Sequence, residues 1–241
     1  MDHLKRILYG TYAIALFLAA GLAALVLVLV TPGLARRRAI ARAGSRMFLR
    51  LAGMRLEVNG LEGLPAEPCV VVANHASYLD GVVFTAALPP RFGFVIKREM
   101  ADVPLVAAML RRIGAEFVER YNRSKGAADA RRLFRNAARG QSLVFFPEGT
   151  FSPQPGLLKF HAGAFITAAR AGCPVVPAVV RGTRAALPPG SILPRPATIT
   201  IELLPALSSK SGDTEEAAHE LRERARSAIL TRLAEPDLAA A

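Results

Sequence analysis

Cys69-Val70-Val71-Val72-Ala73 is the stretch that decides the predicted fold of this 241-residue chain. A continuously apolar run of this length is typical of a strand in a parallel sheet that is covered by helices on both faces. Further β-rich runs occupy residues 54–58, 92–96, 142–146, 175–180 and 197–203. Helical patterns long enough to connect parallel strands occupy residues 79–88, 104–113, 124–139 and 162–171. Asp213 and Glu216 have the spacing of a capping box, which predicts a last helix that ends near Leu233. The sequence therefore predicts an α/β domain, residues 53–241, with a mostly parallel central sheet flanked by helices.

An uncharged apolar segment, residues 7–31, precedes this domain. As a helix its 25 residues would extend roughly 37 Å, which exceeds the hydrocarbon core of a bilayer at about 30 Å. A cleaved signal peptide fits less well, because its apolar region usually runs only ~7–15 residues. Six arginines follow the segment with no acidic residue between them: Arg36, Arg37, Arg38, Arg42, Arg46 and Arg50. The positive-inside rule then predicts a membrane protein whose α/β domain lies on the cytoplasmic face.

Residues 1–52 are thus predicted to form a membrane segment followed by a basic amphipathic helix. Two arrangements are open: a spanning helix, or a helical hairpin embedded in one leaflet. The formal net charge of +12 is concentrated beside the apolar segment, and no aromatic-plus-basic recognition motif accompanies it. Anionic lipid headgroups therefore fit this basic excess better than nucleic acid does.

Neither a disulfide framework nor a metal site is indicated. Cys69 and Cys173 lie in separate apolar runs and form no CxxC pair. No group of His, Cys and carboxylate residues has the spacing of metal ligands.

The predicted buried strand leads directly into Asn74-His75-Ala76-Ser77-Tyr78-Leu79-Asp80, which places a histidine five residues before an aspartate. An aspartate that accepts a hydrogen bond from one imidazole nitrogen fixes the tautomer and leaves the other nitrogen free to take a proton. His75 and Asp80 are therefore a candidate general base and its orienting partner. The alternative is that His75 only bonds a loop and that Asp80 caps the following helix.

A second polar motif, Phe146-Pro147-Glu148-Gly149-Thr150, follows another apolar strand. In α/β sheets ligands gather outside the carboxyl ends of strands, so both motifs are expected at one edge. The alternative is an ordinary Pro-Gly turn with Glu148 in solvent.

These two motifs together resemble the glycerolipid acyltransferase family, specifically the 1-acylglycerol-3-phosphate acyltransferases. The likeness extends over about residues 60–183. Within it, Gly114-Ala115-Glu116-Phe117-Val118-Glu119-Arg120 looks like the second sequence block of the family, and Val175-Val176-Pro177-Ala178 looks like the fourth. Lys97 matches a lysine that the family keeps near its active site. Four blocks in the order of the family make the resemblance specific.

The resemblance implies transfer of an acyl chain from acyl-CoA or acyl carrier protein to the free sn-2 hydroxyl of 1-acylglycerol-3-phosphate, giving phosphatidic acid in phospholipid biosynthesis. His75 would be the general base and Asp80 would orient it. The substrate-binding roles of the family fall on Lys97, Arg120, Glu148, Gly149 and Thr150. No cofactor besides the acyl donor is implied, and the arginines after the apolar segment would hold anionic headgroups or an acidic donor.

One residue departs from the family pattern: Phe151 stands where the third block usually continues with arginine. An acceptor phosphate would lose that guanidinium, unless another cation compensates: Arg120, Lys97, Arg98, Lys159, Arg181 or Arg184. Another lysolipid, such as lyso-ornithine lipid, is therefore an alternative acceptor. Two other functions are also open, a thioesterase or lipid hydrolase and a non-catalytic membrane adaptor.

Overall fold

The computed structural model describes residues 3–119 and 123–239. Its sheet contains seven strands: β1 (Arg55–Asn59), β2 (Val70–Ala73), β3 (Phe92–Lys97), β4 (Glu116–Val118), β5 (Ser142–Phe145), β6 (Val175–Arg181) and β7 (Thr198–Leu203). Their order is β1-β7-β6-β2-β5-β3-β4, and every neighbouring pair is parallel except β6 with β7. The predicted α/β fold with a mostly parallel sheet is confirmed.

The helices are α1 (His3–Val30), α2 (Leu34–Leu51), α3 (Asp80–Ala87), α4 (Pro104–Arg112), α5 (Arg123–Ala138), α6 (Gly163–Ala171), α7 (Thr183–Ala186) and α8 (Thr214–Leu233). Short 3-10 turns occupy Leu61–Gly63 and Arg98–Asp102. The short β4 and α7 were not predicted. Asp213 caps α8 by accepting from the backbone N–H groups of Glu215 and Glu216, at 2.9 and 2.8 Å. In a capping box Glu216 would also accept from the Asp213 N–H. Here the Glu216 carboxylate accepts from the Ser211 hydroxyl instead.

Strand β2 lies in the middle of the sheet and is fully buried, as its apolar sequence predicts. Successive side chains of a strand point to opposite faces. Val71 and Ala73 therefore join one core with residues of α1, α2 and α3, whereas Val70 and Val72 join a second core with residues of α5, α6 and α8. Helices on both faces thus explain why this strand needs no polar side chain.

Helices α1 and α2 form an antiparallel hairpin that packs on the α/β body. The Tyr9 hydroxyl donates to the Ala52 carbonyl at 2.7 Å, the Phe17 and Phe48 rings meet edge to face with centroids 5.3 Å apart, and Val28 packs with residues of α2 and α4. The opposite face of α1 is exposed and apolar. By length and composition α1 qualifies as a helix that can cross a membrane. The division of the chain into residues 1–52 and 53–241 stays a prediction.

Not all of the α2 arginines face outward, contrary to the expectation from sequence. Arg38 is buried and donates to the backbone carbonyls of Ile113 and Arg91, at 2.9 and 2.8 Å. Arg42 and Arg46 donate to the last two carbonyls of α3. The last carbonyls of a helix lack partners within it, so these guanidinium groups fix α2 to the end of α3. The α2 arginines with largely exposed side chains are Arg36, Arg46 and Arg50.

Candidate active site

The site lies where the loops after β2 and β5 meet. Val72 of β2 pairs with Phe145 of β5 in parallel register, so both strands end at the same edge of the sheet. We call residues 74–79 the β2 loop and residues 146–162 the β5 loop. The two sequence motifs thus become neighbours although they are far apart in the chain.

His75 and Asp80 are hydrogen-bonded, with 2.8 Å between His75 Nδ1 and Asp80 Oδ2. The Asp80 side chain is fully buried, and the same oxygen also accepts from the backbone N–H groups of Ala76 and Ser77, at 2.7 and 2.9 Å. Because a carboxylate only accepts, Nδ1 carries the hydrogen and Nε2 keeps its lone pair. The pair therefore has the arrangement that a general base requires.

Two side chains of the β2 loop bind the backbone of more distant segments. The Asn74 amide donates to the Val180 carbonyl at 3.0 Å and accepts from the Val180 N–H at 2.8 Å. The Ser77 hydroxyl donates to the Leu187 carbonyl at 2.8 Å. Asn74 belongs to the sequence motif, but its partners are 106 residues away, so its role was missed from sequence.

Glu148 is buried between the two loops. Its Oε1 accepts from the His75 backbone N–H at 2.6 Å, and its Oε2 accepts from the Leu158 N–H at 2.8 Å. Burial raises the pKa of Glu148 to about 7, although these two hydrogen bonds lower it. The alternative interpretation, an ordinary turn with Glu148 in solvent, is therefore wrong, since the carboxyl group joins the β2 loop to the β5 loop.

The other predicted site residues occupy different positions. Gly149 has a φ of 75°, in the region that favours glycine, and its N–H donates to the Phe146 carbonyl at 3.0 Å. Thr150 is exposed. Lys97 is half-buried at the end of β3, which neighbours β5, so it lies about two strand spacings of ~4.8 Å from the end of β2. Arg120 lies outside the described residues.

Aromatic rings surround the imidazole. Phe146 stacks on His75 with centroids 4.6 Å apart, and Phe151 meets the His75 ring edge to face at 4.7 Å. Tyr78 contacts Phe151 at 4.9 Å. Phe151 therefore forms part of the wall beside the candidate base, at the position where the family pattern has arginine.

Two of the cations proposed to compensate for that arginine already have partners. Arg184 donates to the carbonyl groups of Ser152 and Gln154 in the β5 loop and pairs with Glu235 at 3.6 Å. Arg181 pairs with Glu202 at 3.5 Å. Arg184 therefore holds the β5 loop in place. Among the described residues, no group of three or more His, Cys, Asp or Glu side chains is arranged to hold a metal ion.

Comparisons with known proteins agree with this geometry. The sequence model of the acyltransferase family matches residues 55–181. A 1-acyl-sn-glycerol-3-phosphate acyltransferase of Pseudomonas aeruginosa is 30% identical over 192 residues, which is 77% of this chain and 71% of that protein. The chloroplastic 1-acyl-sn-glycerol-3-phosphate acyltransferase BAT2 of Brassica napus is 34% identical over 139 residues, 57% of this chain, and the chain spans 40% of its length.

The fold has a solved counterpart. The crystal structure of the 1-acyl-sn-glycerophosphate acyltransferase PlsC from Thermotoga maritima superposes with a TM-score of 0.76 at 22% identity, covering 96% of this chain and 94% of that one. The family match covers more than half of the chain, and it agrees with the Pseudomonas relative. The chain therefore belongs to the acyltransferase family.

Proposed function

We propose that the protein transfers an acyl chain from acyl-CoA or acyl carrier protein to the sn-2 hydroxyl of 1-acylglycerol-3-phosphate, giving phosphatidic acid, with no other cofactor. The observation that carries the proposal is the His75–Asp80 hydrogen bond of 2.8 Å at the carboxyl edge of the sheet. The names of the Pseudomonas and Brassica relatives support the choice of acceptor.

The proposed reaction needs no covalent enzyme intermediate. Nε2 of His75 removes the proton from the acceptor hydroxyl, and the oxygen attacks the thioester carbonyl. The tetrahedral intermediate collapses, the C–S bond breaks, and the imidazolium returns its proton to the leaving thiolate. Asp80 stabilises the imidazolium while the charge exists. Lys97 or a backbone N–H group would stabilise the oxyanion.

The test compares two histidine variants with labelled acyl-CoA and lysophosphatidate. His75→Ala should lower turnover by about 10²- to 10⁴-fold, the usual contribution of a general base. His161→Ala is the matched control, because His161 is exposed and its hydrogen bond to Pro147 uses only the backbone N–H. Retained activity in a folded His75→Ala protein would refute the proposal. Release of free fatty acid regardless of acceptor would indicate a hydrolase instead.

Phe151 favours a second acceptor class, lysolipids that present no phosphate near the imidazole, such as lyso-ornithine lipid. The ring occupies the wall at 4.7 Å from the His75 ring, and Arg181 and Arg184 are engaged by carboxylates and carbonyls. A panel of lysolipids with one labelled donor separates the classes. Activity confined to phosphate-free acceptors would assign the protein to the second class.

We also propose that α1 lies in one leaflet on the cytoplasmic side rather than across the bilayer. Its packing on the body runs from Tyr9 to Leu29, whose carbonyl accepts from Arg112. A spanning α1 would therefore carry α2 and its exposed arginines into the hydrocarbon. The free-energy cost of insertion is about 2.5–3.5 kcal/mol for each arginine at mid-membrane. Protease accessibility of a tag placed before His3 tests the topology. A protease added on the side opposite to the α/β domain should leave the tag intact if α1 lies in one leaflet, and should cleave it if α1 spans the bilayer.

A further inference from the structure

The segment between α7 and β7 is a preformed loop, which we call the 188–196 loop. The Ser191 N–H donates to the Pro188 carbonyl at 3.0 Å, and Gly190 has a φ of 77°. A proline at the second position and a positive φ at the third define a type II turn. The Arg195 N–H donates to the Ala186 carbonyl at 2.7 Å and closes the base. These hydrogen bonds therefore fix the backbone of the loop, and none of them involves its outermost side chain.

That outermost side chain is apolar. Ile192 is 81% exposed, more than any other large hydrophobic residue in the described part of the chain. The Ser191 hydroxyl bonds both the N–H and the carbonyl of Leu193, so the backbone on each side of Ile192 is fixed. Residues 187–194 carry no charge. The loop thus presents isoleucine outward on a rigid, uncharged support.

The loop also connects α1 with the active site. Leu193 packs on α1 so closely that a Cβ on Gly10 would lie 2.9 Å from Leu193 Cβ. At its other end, the Leu187 carbonyl accepts from Ser77 of the β2 loop. Ile192 therefore precedes a residue that packs on the buried face of α1 near its N-terminus, and the other face of that half exposes Leu4, Leu8 and Tyr12.

We propose that the 188–196 loop is a second membrane-contacting element, which inserts Ile192 into the bilayer beside α1 and seats the β2 loop at the lipid surface. The proposal rests on the proposed seating of α1 in a leaflet. A bilayer is the occupant that fits, because the outermost side chain of the loop is an exposed isoleucine, residues 187–194 carry no charge, and the Ser191 hydroxyl is already bonded to Leu193. The seating would let a lysolipid hydroxyl reach His75 without leaving the lipid surface.

The chain contains no tryptophan, so Ile192→Trp introduces a single fluorescent probe. The full-length variant is reconstituted into phosphatidylcholine and phosphatidylglycerol vesicles, with and without brominated lipid. We expect a blue-shifted emission that brominated lipid quenches. Lys210→Trp is the control, because Lys210 is exposed in the loop before α8, on the face of the sheet opposite to α1. Water-like emission at position 192 in vesicle-bound protein, or equal quenching at both positions, would overturn the proposal.

A second variant separates this inference from the proposed function. Ile192→Asp should lower activity on vesicle-borne lysolipid about tenfold, since burial of an isoleucine is lost. It should leave activity on a short-chain acceptor dispersed as monomers unchanged. Equal loss on both acceptors would refute the membrane role. If neither acceptor is used even by the unmodified protein, the proposed function fails, whereas the fluorescence result still decides the membrane contact.

Discussion

Replacing Glu148 by glutamine tests how the two loops are held together. The carboxylate accepts from His75 N–H and Leu158 N–H, at 2.6 and 2.8 Å. Glutamine has one acceptor oxygen, so its NH₂ group must face one of these donors and the loops must separate. If the lost hydrogen bond costs about 1.5–3 kcal/mol in the placement of His75, kcat falls by roughly 10- to 150-fold. The KM for the acceptor should stay unchanged, because both carboxylate oxygens are already bonded to backbone N–H groups of the two loops.

The same variant should change how stability depends on pH. Burial raises the pKa of Glu148 from 4.5 to about 7. Between these values the folded protein keeps a proton that the unfolded chain has released, so the free energy of unfolding decreases as pH rises through this window. A shift of this size corresponds to on the order of 3 kcal/mol. Glutamine does not titrate, so the variant should lack this decrease.

Two measurements check these expectations. Steady-state kinetics at pH 8, where Glu148 is ionised, separates kcat from the acceptor KM. Chemical denaturation from pH 5 to 8 gives the difference in unfolding free energy between the two proteins. Glu202→Gln is the control, because the Glu202 carboxylate pairs with Arg181 and Arg232 and not with the backbone of either loop. A raised KM with unchanged kcat would show that Glu148 contacts the acceptor, and an identical pH slope in both proteins would refute the linkage.

Two further substitutions test the geometry of the β2 loop. Asp80→Asn should lower turnover by about 10²- to 10⁴-fold with little change in the KM for the acceptor, because an amide no longer balances the imidazolium; initial rates measure this. Asn74→Ala leaves the N–H and carbonyl of Val180 without their partner, so the free energy of unfolding should fall by about 2–3 kcal/mol in a denaturant titration. An unchanged midpoint and slope for Asn74→Ala would show that water replaces the amide.

The main strands and the longer helices follow from local sequence, because burial on one or both faces leaves a periodic or continuous apolar pattern. All six predicted strands agree with the observed bounds to within one residue at each end, for instance 142–146 against Ser142–Phe145. The three-residue β4 and the four-residue α7 are too short to carry a period. Pattern length therefore decides which elements the sequence can predict.

The direction of the α2 arginines could not be predicted in this way. A run of basic residues beside an apolar helix fits a headgroup-binding face and an inward face equally well. The choice depends on where α3 ends, since its last carbonyls attract Arg42 and Arg46. That position is set by tertiary packing, which a local charge pattern does not contain.

The contacts of the active site also differ in whether local sequence or tertiary packing sets them. His75 and Asp80 are five residues apart, so one tight loop brings them together and their pairing could be predicted from spacing. Glu148 reaches His75 only because β5 neighbours β2, and Asn74 reaches Val180 only because β6 lies on the other side. Since the side chains of a strand alternate with a period of two, a slip of one residue would turn the flanking side chains to the wrong face. The geometry of the candidate base therefore depends on the register of β2, in which Val72 pairs with Phe145 on one side and with Pro177 on the other.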